Sequence, residues 1–342
     1  MHVRIGHLGV TLCVCVAAAA TDQRSCASDI VSGVIADLTL DRNDERMAEG
    51  LSFVKLSEHL PEHSIELLQQ MGARSTTVSR LRSLSKDSRK LPEPATEPLS
   101  RTPEPSPAER EAMSQAMRRY AAAYISRLPD FICTREAHRI VGFGITNEAG
   151  FVVKSRWHDD GSYTSELTYT GGHEHYRLTR LNDKPTNLTL ADLRRRVSER
   201  EFAGMMQEVF GSRPALVWDH WEALRGKRTA VFSYHVELPA SKYIVCCPPT
   251  KSAHRGFVVG DPDTGAILRL IISSVGLTDQ TPVNATGYVM DFAEVQIGSD
   301  KFLLPRWTGV YERSGRAEVR EIIDYSNYRK FTADSAIAFP DQ

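Results

Sequence analysis

From Phe131 onward the chain is written with a period of two. Apolar and polar residues alternate in short runs, and Gly, Asp, Asn and Pro separate the runs. Successive residues of a strand point to opposite faces, so this pattern specifies half-buried strands. It is clearest in the stretch Leu216–Leu270. There Val217-Trp218-Asp219-His220-Trp221 leads through Leu224-Arg225-Gly226-Lys227-Arg228 into the alternating run Thr229–Glu237. Asp261-Pro262-Asp263-Thr264-Gly265 then splits a second alternating pair. Two antiparallel hairpins in the middle of a long sheet are expected here.

Other strands are read at Phe131–Val141, Phe151–Trp157, Ser162–Tyr169 and His175–Leu181. Beyond Glu237 they follow at Lys242–Cys246, Gly256–Gly260, Ala266–Ser274, Gly287–Ile297, Lys301–Glu312 and Ala317–Tyr325, with Ser335–Phe339 as a closing strand. Asp159-Asp160-Gly161 and Gly171-Gly172 suit tight hairpin turns. Strands this numerous and this closely spaced imply an antiparallel barrel or a strongly curved sheet. Two helices accompany them. One covers 108–128, with Ser106 as cap and Met113, Met117, Tyr120, Ala121 and Tyr124 on one face. The other is Leu190–Phe210, with Leu193, Val197, Phe202, Met205 and Met206 as its apolar face. Two helices are too few for a βαβ architecture.

The first third of the chain differs. Val10–Ala20 is an apolar run behind Arg4 and His7, and Ala18-Ala19-Ala20 offers small residues for cleavage, so residues 1–20 read as a signal peptide. Residues 29–91 read as a small all-helical module. One helix passes through Met47, Leu51 and Val54, with Asp41 or Asn43 as cap. A second follows Pro61 and carries Ile65, Leu67 and Leu68. After Gly72, a third starts at Ser75 or Thr76 and presents Val78, Leu81 and Leu84 on one face. Residues 92–107 hold six prolines among Glu, Thr and Ser, an extended linker. Residues 108–342 make the second domain. The fold class is α+β: a helical module, then a mainly antiparallel curved sheet or open β-barrel with one or two packed helices.

With 42 basic and 43 acidic residues in 342, no global field favours nucleic acid. The helix–Gly–helix pattern with a basic second helix is superficially like a DNA-binding hairpin, but nearby Asp and Glu residues cancel its charge. Past the export signal no apolar run approaches the roughly 20 residues of a membrane span. An exported, periplasmic or extracellular chain makes a disulfide reasonable. The candidates are Cys133 with one of Cys246 and Cys247, since neighbours on a strand face opposite ways. Buried thiols are the equal alternative.

No catalytic signature stands out. There is no Gly-x-Ser-x-Gly elbow, no complete dinucleotide fingerprint and no P-loop. No cofactor is expected. His173-Glu174-His175 places two imidazoles on one strand face, and a metal would need a third ligand from His158, Asp159 or His235. A polar hairpin end is the commoner role for such a pair. Trp218 and Trp221 can line an aromatic pocket, with Asp219 orienting His220, or simply pack. Phe232, Tyr234, Phe257, Tyr288, Phe292 and Trp307 are further lining candidates for a concave sheet face.

Several short runs are similar to an uncharacterised family of exported bacterial proteins. They are Leu128-Pro129-Asp130-Phe131-Ile132-Cys133, Leu224–Arg228, the Asp261–Gly265 turn, Phe302-Leu303-Leu304-Pro305 and Tyr328-Arg329-Lys330-Phe331. The sheet domain also resembles the lipoprotein-carrier group (LolA/LolB-like), in the turn leading into Ile267-Leu268-Arg269-Leu270 and in the Tyr288–Ile297 strand. That resemblance implies a curved antiparallel sheet around helices with a greasy interior. The expected function is non-enzymatic binding of an apolar ligand, such as a lipid, an acyl chain or a lipoprotein segment. The alternatives are an envelope scaffold that engages a protein partner through residues 29–91, and a metal-dependent enzyme built on His173 and His175.

Overall fold

The computed structural model describes residues 27–39, 44–52, 54–70, 72–94, 102–146, 152–193, 202–225, 227–245, 249–278 and 281–331. The signal segment, Cys246, Cys247 and the strand expected at Ser335–Phe339 lie outside them. The chain forms two compact units. One holds the residues up to Glu104 together with Trp221–Thr229, and the other holds Pro105–His220 with Ala230 onward.

Among the described residues the first unit carries four helices: α1 (Ala27–Thr39), α2 (Asp44–Leu51), α3 (Glu62–Gln70) and α4 (Ser75–Asp87). Their apolar faces meet in one core around Ile30, Val34, Leu51, Leu60, Ile65, Leu68 and Leu81. The helix expected to reach Val54 stops at Leu51, where the Ser52 hydroxyl donates to the Ala48 carbonyl, yet Val54 still joins the core. Gly72 takes φ +107° just after α3, the conformation a helix-ending glycine supplies. α4 is capped from a distance. Arg74 precedes it without a capping side chain, and the Asp44 carboxylate accepts the backbone N–H groups of Thr76 and Thr77 at 2.9 and 3.0 Å. Burial raises the Asp44 pKa, but the hydrogen bonds from Thr77 and Thr76 outweigh it and hold the carboxyl below its ordinary value.

The second unit opens with α5 (Pro107–Arg127). Ser106 and Glu109 close a reciprocal capping box: the Ser106 N–H donates to the Glu109 carboxylate, and the Glu109 N–H donates to Ser106 Oγ. The strands β1 (Phe131–Thr146), β2 (Val152–Thr170), β3 (His173–Leu181) and β4 (Lys184–Pro185) follow. A 3-10 turn at Ala191–Leu193 and helix α6 (Ala203–Phe210) come next, and residues 194–201 of the expected Leu190–Phe210 helix lie outside the described residues. The chain continues with β5 (Val217–Leu224), β6 (Lys227–Val236), β7 (Ile244–Val245), β8 (Thr250–Lys251), β9 (Ala253–Gly260) and β10 (Ile267–Val275). It returns through β11 (Ala285–Ile297), β12 (Asp300–Ser314) and β13 (Ala317–Lys330).

Eleven strands make one curved, unclosed antiparallel sheet in the order β4-β3-β2-β1-β13-β12-β11-β10-β9-β6-β5. The α+β class is therefore as expected. Three local expectations are corrected. The hairpin β5–β6 lies at a sheet edge, because β1 pairs with β13 and these two strands and their neighbours take the middle. Asp159-Asp160-Gly161 does not turn the chain back. It forms a β-bulge inside the single strand β2, where the register on β1 slips between Arg139 and Ile140. Gly161 has φ +94° and donates its N–H to the Asp159 carboxylate at 2.7 Å, so the same residues that suit a turn close a bulge. The strand expected at Lys242–Cys246 shrinks to β7, which pairs only with β8 in a separate two-stranded ribbon.

Side chains on directly paired residues share a face. The row Phe232, Val258, Leu270, Met290, Thr308, Ile323, Ala137 and Tyr163 runs across the sheet through its register. α5 and α6 lie on this inner face. Tyr124 of α5 meets Phe292 edge-on at 6.0 Å, and Phe202, beside α6, meets Phe131 at 5.1 Å.

Three of the runs quoted above meet in one place. Phe131 stacks on Tyr169 at 5.3 Å and lies 5.5 Å from Tyr328. The Tyr328 hydroxyl donates to the Pro305 carbonyl, Leu304 is fully buried in the same cluster, and Ile132 pairs with Arg329 across the β1–β13 ladder. Asp130 accepts the Gly171 N–H at 3.0 Å and so latches the β2–β3 turn. These runs build the centre of the sheet.

Candidate functional site

The unclosed sheet leaves a cleft of about 1240 Å³ beside α6. β3 supplies one wall with His173, Glu174, His175 and Tyr176, and α6 supplies Met205 and Glu208. Lys242, Tyr243 and Ile244 stand opposite, with Tyr288 of β11. Alternation on β3 decides what each residue shows. Glu174 pairs with Tyr169 and turns to the inner face, whereas His173 and His175 pair with Thr170 and Thr168 and share the other face. Glu174 accepts the Phe202 N–H at 2.9 Å and the Tyr176 hydroxyl, which fixes the entry to α6 against β3.

Behind the opposite wall is a buried polar group. The Tyr243 N–H donates to Ser241 Oγ at 3.0 Å, and the Ser241 hydroxyl lies 3.0 Å from His254 Nδ1. Glu208 Oε1 is 3.8 Å from the same nitrogen, beyond hydrogen-bond reach. Tyr234 and Tyr243 meet the imidazole at 5.9 and 5.5 Å. Burial, with His235 adding to it, pushes the His254 pKa down from 6.5 to about 4, while burial raises the Glu208 carboxyl despite Lys242 nearby. The unfolded chain therefore takes up a proton at His254 as the pH falls below 6.5, and the folded chain takes it up only near 4. Stability contributed by neutral His254 is full above that window and is lost as the pH falls across it. Glu208, raised when folded, works in the opposite sense. Urea unfolding at several pH values between these limits should show a shallower slope for His254→Phe than for the parent chain. Equal slopes would remove His254 from the titration.

The sequence-derived lining candidates scatter. Phe232, Tyr234 and Phe292 are on the inner face but buried in packed core. The Tyr234 hydroxyl donates to the Ile271 carbonyl at 3.0 Å, over Gly256, whose missing Cβ leaves room for that approach. Phe257 pairs with Ile271, and Trp307 with Asp291, so both belong to the opposite face. Trp307 lies against Gly309, where a Cβ would come within 2.8 Å of its ring. Trp218 meets Phe232 at 5.6 Å with the Arg110 guanidinium 5.6 Å from its ring. Trp221, three residues along, donates its indole N–H to the Pro103 carbonyl at 2.9 Å and carries Arg228 over its ring at 4.8 Å. His220 Nδ1 is 2.7 Å from the Asp219 carboxylate. Of these candidates only Tyr288 lines the cleft.

Cys133 is buried in the core that holds Phe131. Among the described residues no group of three His, Cys, Asp or Glu side chains is placed to hold a metal, and no helix is long and apolar enough to cross a membrane. Sequence reading missed Tyr176, Met205, Tyr243 and Ile244 as cleft residues. Ile244, a large apolar side chain left 63% exposed at the rim, is an anomaly that only the structure makes visible.

No family model and no curated protein matches the chain. Among solved structures it is similar to a DUF1329 family protein from Desulfovibrio piger, at 11% identity over 65% of this chain and 93% of that one, with a TM-score of 0.30. It is similar to a domain assigned to outer membrane lipoprotein sorting from Vibrio parahaemolyticus, at 11% identity over 66% and 94%, with a TM-score of 0.29. A LolA superfamily protein from Nitrosomonas europaea is similar at 9% identity over 64% and 93%, with a TM-score of 0.27.

Proposed function

We propose that this chain is an exported, non-enzymatic binding protein whose cleft holds an apolar ligand, a lipid acyl chain or an apolar segment of a lipoprotein. The observation that carries this reading is the cleft itself. Its volume of about 1240 Å³ is ample for an acyl chain, and Tyr176, Leu190, Met205, Tyr243, Ile244 and Tyr288 give it apolar surface. Each methylene buried contributes about 0.8 kcal/mol, so a medium chain suffices for useful affinity. In this reading residues 29–91 form a separate helical module joined through the proline-rich linker, and that module is the surface offered to an envelope partner. A scaffold role is the second reading. It is favoured by the dense packing of Phe131, Tyr169, Phe202, Phe232 and Phe292, which fills much of the inner face.

Native mass spectrometry of the mature protein from a membrane-containing lysate, with lipid extraction of the same sample, tests the proposal. A stoichiometric lipid mass is expected, and Met205→Trp, which fills the cleft, should remove it. A bare polypeptide mass in both proteins would leave the scaffold reading.

A further inference from the structure

α6 has a second side. Between α5 and α6 lies a second groove of about 490 Å³, which meets the cleft at Gln207 and Gly211 and otherwise has its own lining. Its floor is apolar, built from Ala121, Ala122, Met206 and Phe210, and its rim carries Arg118, Arg119 and Arg213. Among the described residues no carboxylate lines it. The Arg118 guanidinium donates to the Pro214 carbonyl and is held over the groove. Arg119 and Arg213 are exposed, and neither guanidinium has an ion pair or hydrogen bond among the described residues. Arg213 sits at φ +50°, a left-handed conformation that non-glycine residues seldom adopt, immediately before Pro214. The α6 cap therefore projects a cation where an apolar floor ends.

We infer that the α5–α6 groove is a binding site for an anionic amphiphile, with one alkyl chain on the apolar floor and a phosphate head between Arg119 and Arg213. Among the described residues three cations and no anion line this concave apolar floor, which makes an anionic head the complementary partner. Guanidinium matches phosphate geometry, and its charge-assisted hydrogen bonds are among the stronger ones. The groove's volume admits one alkyl chain. This site does not depend on the reading of the cleft.

The test is calorimetric titration of the full mature chain with dodecyl phosphate below its micelle concentration. Dodecyl maltoside, dodecyl phosphocholine and inorganic phosphate serve as comparison probes. One dodecyl phosphate should bind per chain, each lost arginine contact should weaken it by about tenfold, and the double variant Arg119→Glu/Arg213→Glu should abolish it. Both side chains are exposed, and an unchanged thermal midpoint will show that the double variant is folded. Met205→Trp should leave this binding intact, which separates the groove from the cleft. Equal affinity for the maltoside or phosphocholine probe would overturn the inference, as would binding that survives the double variant. Inorganic phosphate binding as tightly as dodecyl phosphate would reduce the site to an ion-binding rim and reject the apolar floor. A concentration-dependent dimer in sedimentation that the double variant abolishes, with no dodecyl phosphate bound, would assign the groove to a second copy of the chain.

Discussion

Arg135→Met will destabilise the sheet unit by about 3–5 kcal/mol, the range for removing one partner of a buried charge pair. Arg135 is fully buried on the inner face of β1. Its Nη2 lies 3.3 Å from Glu321 Oε1, and the Tyr163 hydroxyl donates to the same oxygen at 2.7 Å. The guanidinium also lies 5.3 Å from the Tyr163 ring and 5.9 Å from the Tyr176 ring. Methionine keeps much of the volume but leaves the Glu321 carboxylate in an apolar interior with a single hydroxyl donor. The double variant Arg135→Met/Glu321→Leu removes both charges and should recover most of the loss. Urea unfolding of the two variants decides the matter. If the double variant is no more stable than the single one, the loss is one of packing, and the charge argument falls.

The second large effect is at Gly265. This residue closes the β9–β10 turn at φ +72°, with its N–H donating to the Asp261 carbonyl at 2.9 Å. A Cβ there would lie 2.4 Å from the Ala116 carbonyl carbon of α5, which is backbone and cannot swing aside. Gly265→Ala therefore combines a left-handed penalty of about 1 kcal/mol with a helix displaced from its seat, and a total of about 3 kcal/mol or more is expected. Gly276 supplies the control. It has φ +83°, but nothing lies within 4 Å of the Cβ position, so Gly276→Ala should cost only the backbone part. Thermal unfolding of both variants, with limited proteolysis across α5, reads the difference. Equal losses would show that the close approach at Ala116 contributes nothing.

These two residues also show what the sequence made legible. The turn at Asp261–Gly265 was readable because Asp and Gly in that order have a local meaning: the Asp261 carboxylate accepts the N–H groups of Asp263 and Thr264. That α5 would rest on it was not, since nothing local in Ala116 announces a close approach. Strand positions followed from alternation, which is a property of neighbours in sequence. Strand order did not, because the β1–β13 pairing is a choice made between segments far apart. Asp159-Asp160-Gly161 illustrates the remaining ambiguity. A left-handed glycine behind two aspartates suits a hairpin turn or a bulge equally, and only the partner strand distinguishes them. The cleft was the least legible part. Large aromatics on strands mostly mark the core, as Phe232 and Phe292 do, whereas the cleft draws its side chains from β3, α6, β7 with the residues before it, and Tyr288 of β11.

The place of β13 bears on how the chain is made. Arg135 and Glu321 are 186 residues apart, yet their strands are partners in the middle of the sheet. At about 5–20 residues per second, β1 emerges from a ribosome roughly 10–40 s before its neighbour. During that interval β1 can pair with β2 on one side, but its other edge, where β13 belongs, has no ladder to join. A chain so wired folds late and with high contact order. Its nascent form presents an open apolar strand edge, which is the kind of surface that holding chaperones recognise and that unprotected chains aggregate through.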